Sequence, residues 1–272
     1  MANVLQFIDK LLVNYNDYIG GYAILLLLIP TGLYFIIRLK FINVTKIWHS
    51  IRVVAGKYDS PEDKGDVNHF KALTTALSAT VGTGNIVGVA LAIYWGGPGA
   101  IFWMWVTGFL GMIIKYTECT LAHKYRQFNS DGTVSGGPMY YMEFGLKKKL
   151  GRFAKVLAII FALAAILCSL GTGNMAQSNS MTGVFLSSFN IADAITIVGL
   201  SISTKYITAA VITLLVLLVI VGGLKRIADV TSKLVPIMAV LYFVSSITVV
   251  LLMYKEVPAA FSLIFKSAFT GS

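Results

Sequence analysis

Six consecutive residues, Thr80-Val81-Gly82-Thr83-Gly84-Asn85, interrupt an apolar segment that runs from residue 73 to 97. Two glycines flank a β-branched threonine, a combination that holds a helix poorly. The run is expected to open the helix at mid-membrane depth. Backbone groups freed there cannot be satisfied by lipid, so protein, ions or a ligand must supply the partners. Freed N–H groups suit an anionic group, and freed carbonyls suit a cation. A helix broken at the bilayer midplane is the sequence feature that best points to a transport site. A second reading stays open at this level: Gly82, Gly84 and Gly88 also form a stripe of small residues on which a neighbouring helix can pack.

A second polar stretch, Gly171-Thr172-Gly173-Asn174-Met175-Ala176-Gln177-Ser178-Asn179-Ser180, lies inside the apolar segment 153–189. At helical spacing Gly171, Asn174, Gln177 or Ser178, and Met181 share a face. One uncharged amide in a span clamps a neighbouring helix. Three of them beside two glycines exceed what a clamp needs. No carboxylate pair, Ser/His/Asp set or Cys/His cluster falls at membrane depth. Cys119 and Cys168, and His49, His69 and His123, show neither disulfide nor metal-ligand spacing. Lys115 and Glu118 are the ionisable residues inside a span, three apart on one face and placed to pair. Neither an enzyme nor a cofactor is expected.

These stretches must be held by membrane helices. Of 272 residues, 57% are hydrophobic and 12% charged, and mean hydropathy is +0.77, which describes an integral membrane protein of helices. The first apolar run is too long for the core of a signal peptide. Six spans are expected, near 19–39, 73–97 (the broken one), 100–122, 153–189 as one long tilted span, 206–224 and 228–254. Residues 41–54 read as an amphipathic surface helix. The Gly/Pro-rich piece 136–142 reads as interfacial or re-entrant, and 190–205 as a connection. Trp103 and Trp105 read as an interfacial belt, and Pro236 as a kink. The net charge of +10 sets orientation and does not point to nucleic acid. Loops 38–71 and 123–155 carry seven bases each and 225–233 carries three, against four on the other side (Lys10, Lys205, Lys255, Lys266). Base-rich loops stay inside, which puts the N-terminus outside.

The run Gly96-Gly97-Pro98-Gly99-Ala100-Ile101-Phe102-Trp103-Met104-Trp105 resembles the signature of the sodium:alanine (alanine or glycine:cation) symporters. Residues 74–86, Gly136-Gly137-Pro138-Met139-Tyr140 and Gly173-Asn174-Met175-Ala176-Gln177 extend the resemblance over essentially the whole chain. It implies an all-α membrane protein of the leucine-transporter type, built from two inverted five-helix repeats. On that reading residues 1–40 are an extra leading helix and 41–72 a cytoplasmic loop. Residues 73–254 are the first five-helix repeat, and 255–272 approach a sixth core helix. Members of the family are longer, so the second repeat reads as absent and the chain as an N-terminal portion.

The implied function is sodium-coupled uptake of alanine or glycine by alternating access, in a prokaryotic inner membrane. The alternative is a transport-inactive half that only binds or assembles. The resemblance also implies roles. Backbone N–H groups of Thr83 and Gly84 hold the substrate carboxylate. The Thr80 carbonyl accepts from the substrate ammonium and touches a sodium ion together with the Asn85 side chain. Carbonyls of Ser78 and Val81 serve a second sodium ion. Asn174 and Gln177, from the third core helix, contact substrate. Sodium is the coupling ion, and the other partners are a small amino acid and lipid.

Overall fold

The computed structural model describes residues 6, 10, 13–15, 21–60, 65, 67–130, 132–171, 175–191, 194–197 and 200–270. Helix α1 (Ile24–Arg38) is almost wholly apolar and ends at its first charge. The expected surface helix is two pieces, α2 (Ile42–Thr45) and α3 (Ile47–Val54), parted at Lys46. Helix α4 (His69–Thr80) starts where the Asn68 side chain accepts the Lys71 N–H at 2.9 Å, satisfying one of the four orphan donors of a first turn. It stops at the Val81-Gly82 break. The chain resumes as α5 (Gly84–Gly96), whose first turn, Gly84–Gly88, is a π turn, and the two halves are bent by 57°.

Gly97, at φ +71° where only glycine sits without strain, ends α5. Pro98 then leads into α6 (Gly99–Lys124). A two-residue ladder, β1 (Gln127–Phe128) against β2 (Val134–Ser135), precedes a helical piece over 138–150. Helix α7 (Arg152–Leu170) and helix α8 (Ala176–Ser188) follow. They flank residues 172–174 of the long span expected over 153–189, which lie outside the described residues.

The connection at 190–205 is also more ordered than expected. It holds an antiparallel hairpin, β3 (Ala194–Ile197) with β4 (Leu200–Ser203), in the register Ala194 to Ser203 and Ile197 to Leu200. Helix α9 (Thr204–Ile220), helix α10 (Gly223–Leu252) and helix α11 (Val257–Thr270) complete the chain. Pro236 lies inside α10 without ending it. Among the described residues four helices are long and apolar enough to cross a membrane, and the bent pair α4–α5 makes a fifth if it is one span. Helix α9, with 17 residues, is about 25 Å long, at the short end of what a bilayer needs. The chain is an all-α membrane protein with two small hairpins.

Three interfaces organise the helices. Ile36 of α1 packs on Leu110 and Ile113 of α6, the most buried apolar cluster among the described residues. Gly32 lets α1 come this close, since a Cβ there would lie 2.8 Å from Leu110 Cβ. Helix α4 lies along α10, with Thr74 and Ala228 buried between them. Lys71 Nζ meets Asp229 Oδ1 at 2.5 Å, and the hydroxyls of Thr75 and Thr231 meet at 3.1 Å.

Helix α11 docks on the start of α6. The Trp103 indole N–H donates to the Ala268 carbonyl at 3.1 Å, and Phe102 stacks edge-on between Phe265 and Phe269. Trp103 thus has a protein partner, where the sequence suggested a headgroup belt, and Trp105 lies beside Phe261. The expected pair on α6 is formed, with Lys115 Nζ donating to Glu118 Oε2 at 3.1 Å.

Candidate functional site

The break between α4 and α5 is built by its own residues. Thr80 is the last helical residue of α4, and its hydroxyl turns back to donate to the carbonyls of Ala76 and Leu77 at 2.9 and 3.3 Å. The Ser78 hydroxyl does the same to Thr75 at 2.7 Å. Such back-bonding competes with the backbone ladder and favours a bend. Val81 then takes an extended conformation (φ −85°, ψ 99°), which removes the next helical bonds. Among the described residues the carbonyls of Ser78, Thr80 and Val81 receive no hydrogen bond. On the far side Thr83 and Gly84 start the second half-helix, where no preceding turn exists to accept their N–H groups.

Asn85 fastens the opening. Its Oδ1 accepts the Gly82 N–H at 3.1 Å, and its own N–H donates to the Gly82 carbonyl at 3.1 Å. This is half of a capping box, with Asn85 reaching back to the residue that caps the second half-helix. The sequence suggested the Asn85 side chain as a sodium ligand. Its oxygen already has one partner and keeps one lone pair for another.

Gln177 reaches this opening from α8. Its Nε2 lies 3.1 Å from where a Cβ of Gly82 would stand. A side chain at 82 would push the amide away, so here glycine is needed for a close approach. Gly84 and Gly88 have nothing within 4 Å of an added Cβ. Among the described residues one glycine of the three is approached, and by a polar amide. Thr80, Val81, Thr83, Gly84, Asn85 and Gln177 are thus gathered at one opening, with Ser78 on the turn before it. Asn174 lies outside the described residues.

Thr80, Gly84 and Asn85 are exposed, so the opening is accessible. Beside it, a cavity of about 320 Å³ lies between α8 and α9, lined by Met175 and Ser178 on one side and by Thr213 and Val216 on the other. No group of three or more His, Cys, Asp or Glu side chains comes together among the described residues. A cation at the break would draw on carbonyl and amide oxygens, the hard donors that sodium takes. Two features escaped the sequence reading. Thr213 gave no signal, being one hydroxyl in an apolar helix. The other was legible: residues 82–85 and 171–174 are the same tetrapeptide, Gly-Thr-Gly-Asn.

Comparison with known proteins bears on this geometry. The family model described as the sodium:alanine symporter family matches residues 5–272. An uncharacterised transporter of Haemophilus influenzae is 44% identical over 263 residues, 96% of this chain and 53% of the relative. The sodium/alanine symporter AgcS of Methanococcus maripaludis is 39% identical over 257 residues, 94% of this chain and 54% of the relative. The probable sodium/glutamine symporter GlnT of Bacillus subtilis is 34% identical over 268 residues, 97% of this chain and 51% of the relative. The chain spans about half the length of these curated relatives.

Proposed function

The chain belongs to the sodium:alanine symporter family, a family of transporters and not of enzymes, and from that premise we infer that the opening at Thr80–Asn85 is the ligand site of a sodium-coupled amino-acid transporter. The substrate is a small zwitterion, alanine or glycine. Its carboxylate lies on the N–H groups of Thr83 and Gly84, at the positive end of the second half-helix. Its ammonium lies on the Thr80 carbonyl, at the negative end of the first. Sodium takes the carbonyls of Ser78, Thr80 and Val81 and the remaining lone pair of Asn85 Oδ1. Gln177 contacts the substrate from α8, and Asn174 joins it from the same stretch of chain.

The reading extends to architecture and location. Residues 73–254 make the first five-helix repeat of a leucine-transporter-type fold, in an inner membrane with the N-terminus outside, and the site is exposed alternately to the two sides. The observation that carries the proposal is the approach of the Gln177 amide to Gly82, beside carbonyls that accept no hydrogen bond among the described residues. An apolar packing contact would not bring an amide there. The relatives' names mention alanine and glutamine.

The test is sodium-dependent binding and uptake of radioactive alanine in proteoliposomes. Each of Gln177→Ala and Asn85→Ala is expected to weaken apparent affinity about tenfold, the worth of one hydrogen bond to a charged group. Unchanged binding in both variants overturns the site assignment. Sodium-dependent binding without uptake would instead favour the binding-half reading, consistent with a chain about half its relatives' length.

A further inference from the structure

The turn and helices that follow α1 carry a surface that the transport site does not use. From residue 38 to 58 the chain has five bases, Arg38, Lys40, Lys46, Arg52 and Lys57, and no acid. All five are exposed. Among the described residues none of them is in an ion pair, and Asp59, the first acid after them, is engaged by His69.

The backbone holds this charge in place at some strain. Helix α1 closes with the Phe41 N–H on the Ile36 carbonyl and the Lys40 N–H on the Ile37 carbonyl, a C-terminal motif whose left-handed position normally takes glycine. Here Lys40 and Phe41 both adopt it, at φ +52° and +55°. The turn leads into α2 and α3 directly at the end of a membrane-crossing helix. On one side of α3, Val53 is partly covered, and the helix contacts α4. On the other side Trp48 is 77% exposed, with Ile47 and Ile51 about half exposed. Arg52 lies one turn on from Trp48, along the same face.

We propose that α3 is a docking surface for anionic phospholipid. Trp48, Ile47 and Ile51 enter the boundary between headgroups and acyl chains, and Lys46 and Arg52, with Arg38 and Lys40 behind them, hold phosphate-bearing headgroups. Uncompensated bases beside an exposed apolar face at the foot of a span complement a negatively charged bilayer surface. A neutral protein partner would leave those charges unmatched. Because α3 contacts α4, an occupied surface also steadies the first half of the broken helix.

The experiment uses the chain reconstituted in phosphatidylcholine vesicles containing phosphatidylglycerol, with bromine near the headgroup end of the acyl chains of one lipid or the other. Trp48 emission is the difference between the chain and its Trp48→Phe variant. Brominated phosphatidylglycerol is expected to quench Trp48 at least about twofold more than brominated phosphatidylcholine at equal mole fraction. High salt or Lys46→Gln with Arg52→Gln should abolish that preference with circular dichroism unchanged, while Lys225→Gln with Arg226→Gln should keep it. Equal quenching by the two lipids, or a preference that survives Lys46→Gln with Arg52→Gln, overturns the proposal. So does a Trp48 that neither lipid quenches, which would place it in water or against protein.

Discussion

A methyl group on Gly82 would stand 3.1 Å from the Gln177 amide nitrogen, and that distance ties the break in one helix to the side chain of another. The amide is the far end of a flexible side chain, so it can swing away at small cost to folding. Gly82→Ala is therefore expected to weaken alanine binding about as much as Gln177→Ala does, by displacing the same group. The two changes together should be no worse than either alone, a departure from additivity of about 0.5–3 kcal/mol. Alanine binding isotherms on the four proteins of the cycle measure it, and full additivity would mean that the two residues act separately. Asn85 shows how much residue types leave unsaid. An asparagine next to an opened backbone reads as an ion ligand, yet its oxygen first serves the Gly82 N–H. The donor it satisfies exists only because the helix is broken, and that geometry is not written in the residue's identity.

Between elements, the closest approach is backbone to backbone. A Cβ on Gly99 would lie 2.6 Å from Ser267 and Ala268 main-chain atoms, which cannot yield as a side chain can. Gly99→Ala is expected to cost about 1–3 kcal/mol of stability through overpacking and to loosen α11 from α6. Gly88→Ala, with open space around it, should be neutral or slightly stabilising because alanine is the better helix former. Thermal denaturation of both variants in detergent checks the contrast, and equal melting temperatures would remove the interface from the account. The break at Thr80–Gly84 was legible because two glycines and a threonine sit mid-span. The hairpin at 194–203 was not legible, because a short β-branched stretch reads equally as connection or strand. The docking of Trp103 on Ala268 depends on two segments far apart in sequence, which no local pattern reports.

At the scale of the molecule, the distribution of bases makes a statement about sides. Seventeen bases in three loops against four on the other side, with Lys115 inside a span, support the proposed orientation, in which the 123–155 loop is inside and Lys255 outside. With Cys119 and Cys168 replaced by serine, Lys255→Cys should react with a membrane-impermeant maleimide in intact cells. Lys148→Cys should react only after the cells are opened, and the reverse pattern would invert the orientation. Membrane character was legible from composition, and the family from short motifs. Their arrangement was not, since it rests on contacts such as Lys71 with Asp229, 158 positions apart.

The joint between α6 and α11 also sets a clock. Trp103 and the carbonyl it donates to are separated by 165 positions, and at roughly 5–20 residues per second the ribosome takes about 8–33 s to cover them. Through that interval the indole N–H of a newly inserted α6 has water or a headgroup for an acceptor, and α6 must wait near the interface. A helix made later thus seats one made earlier.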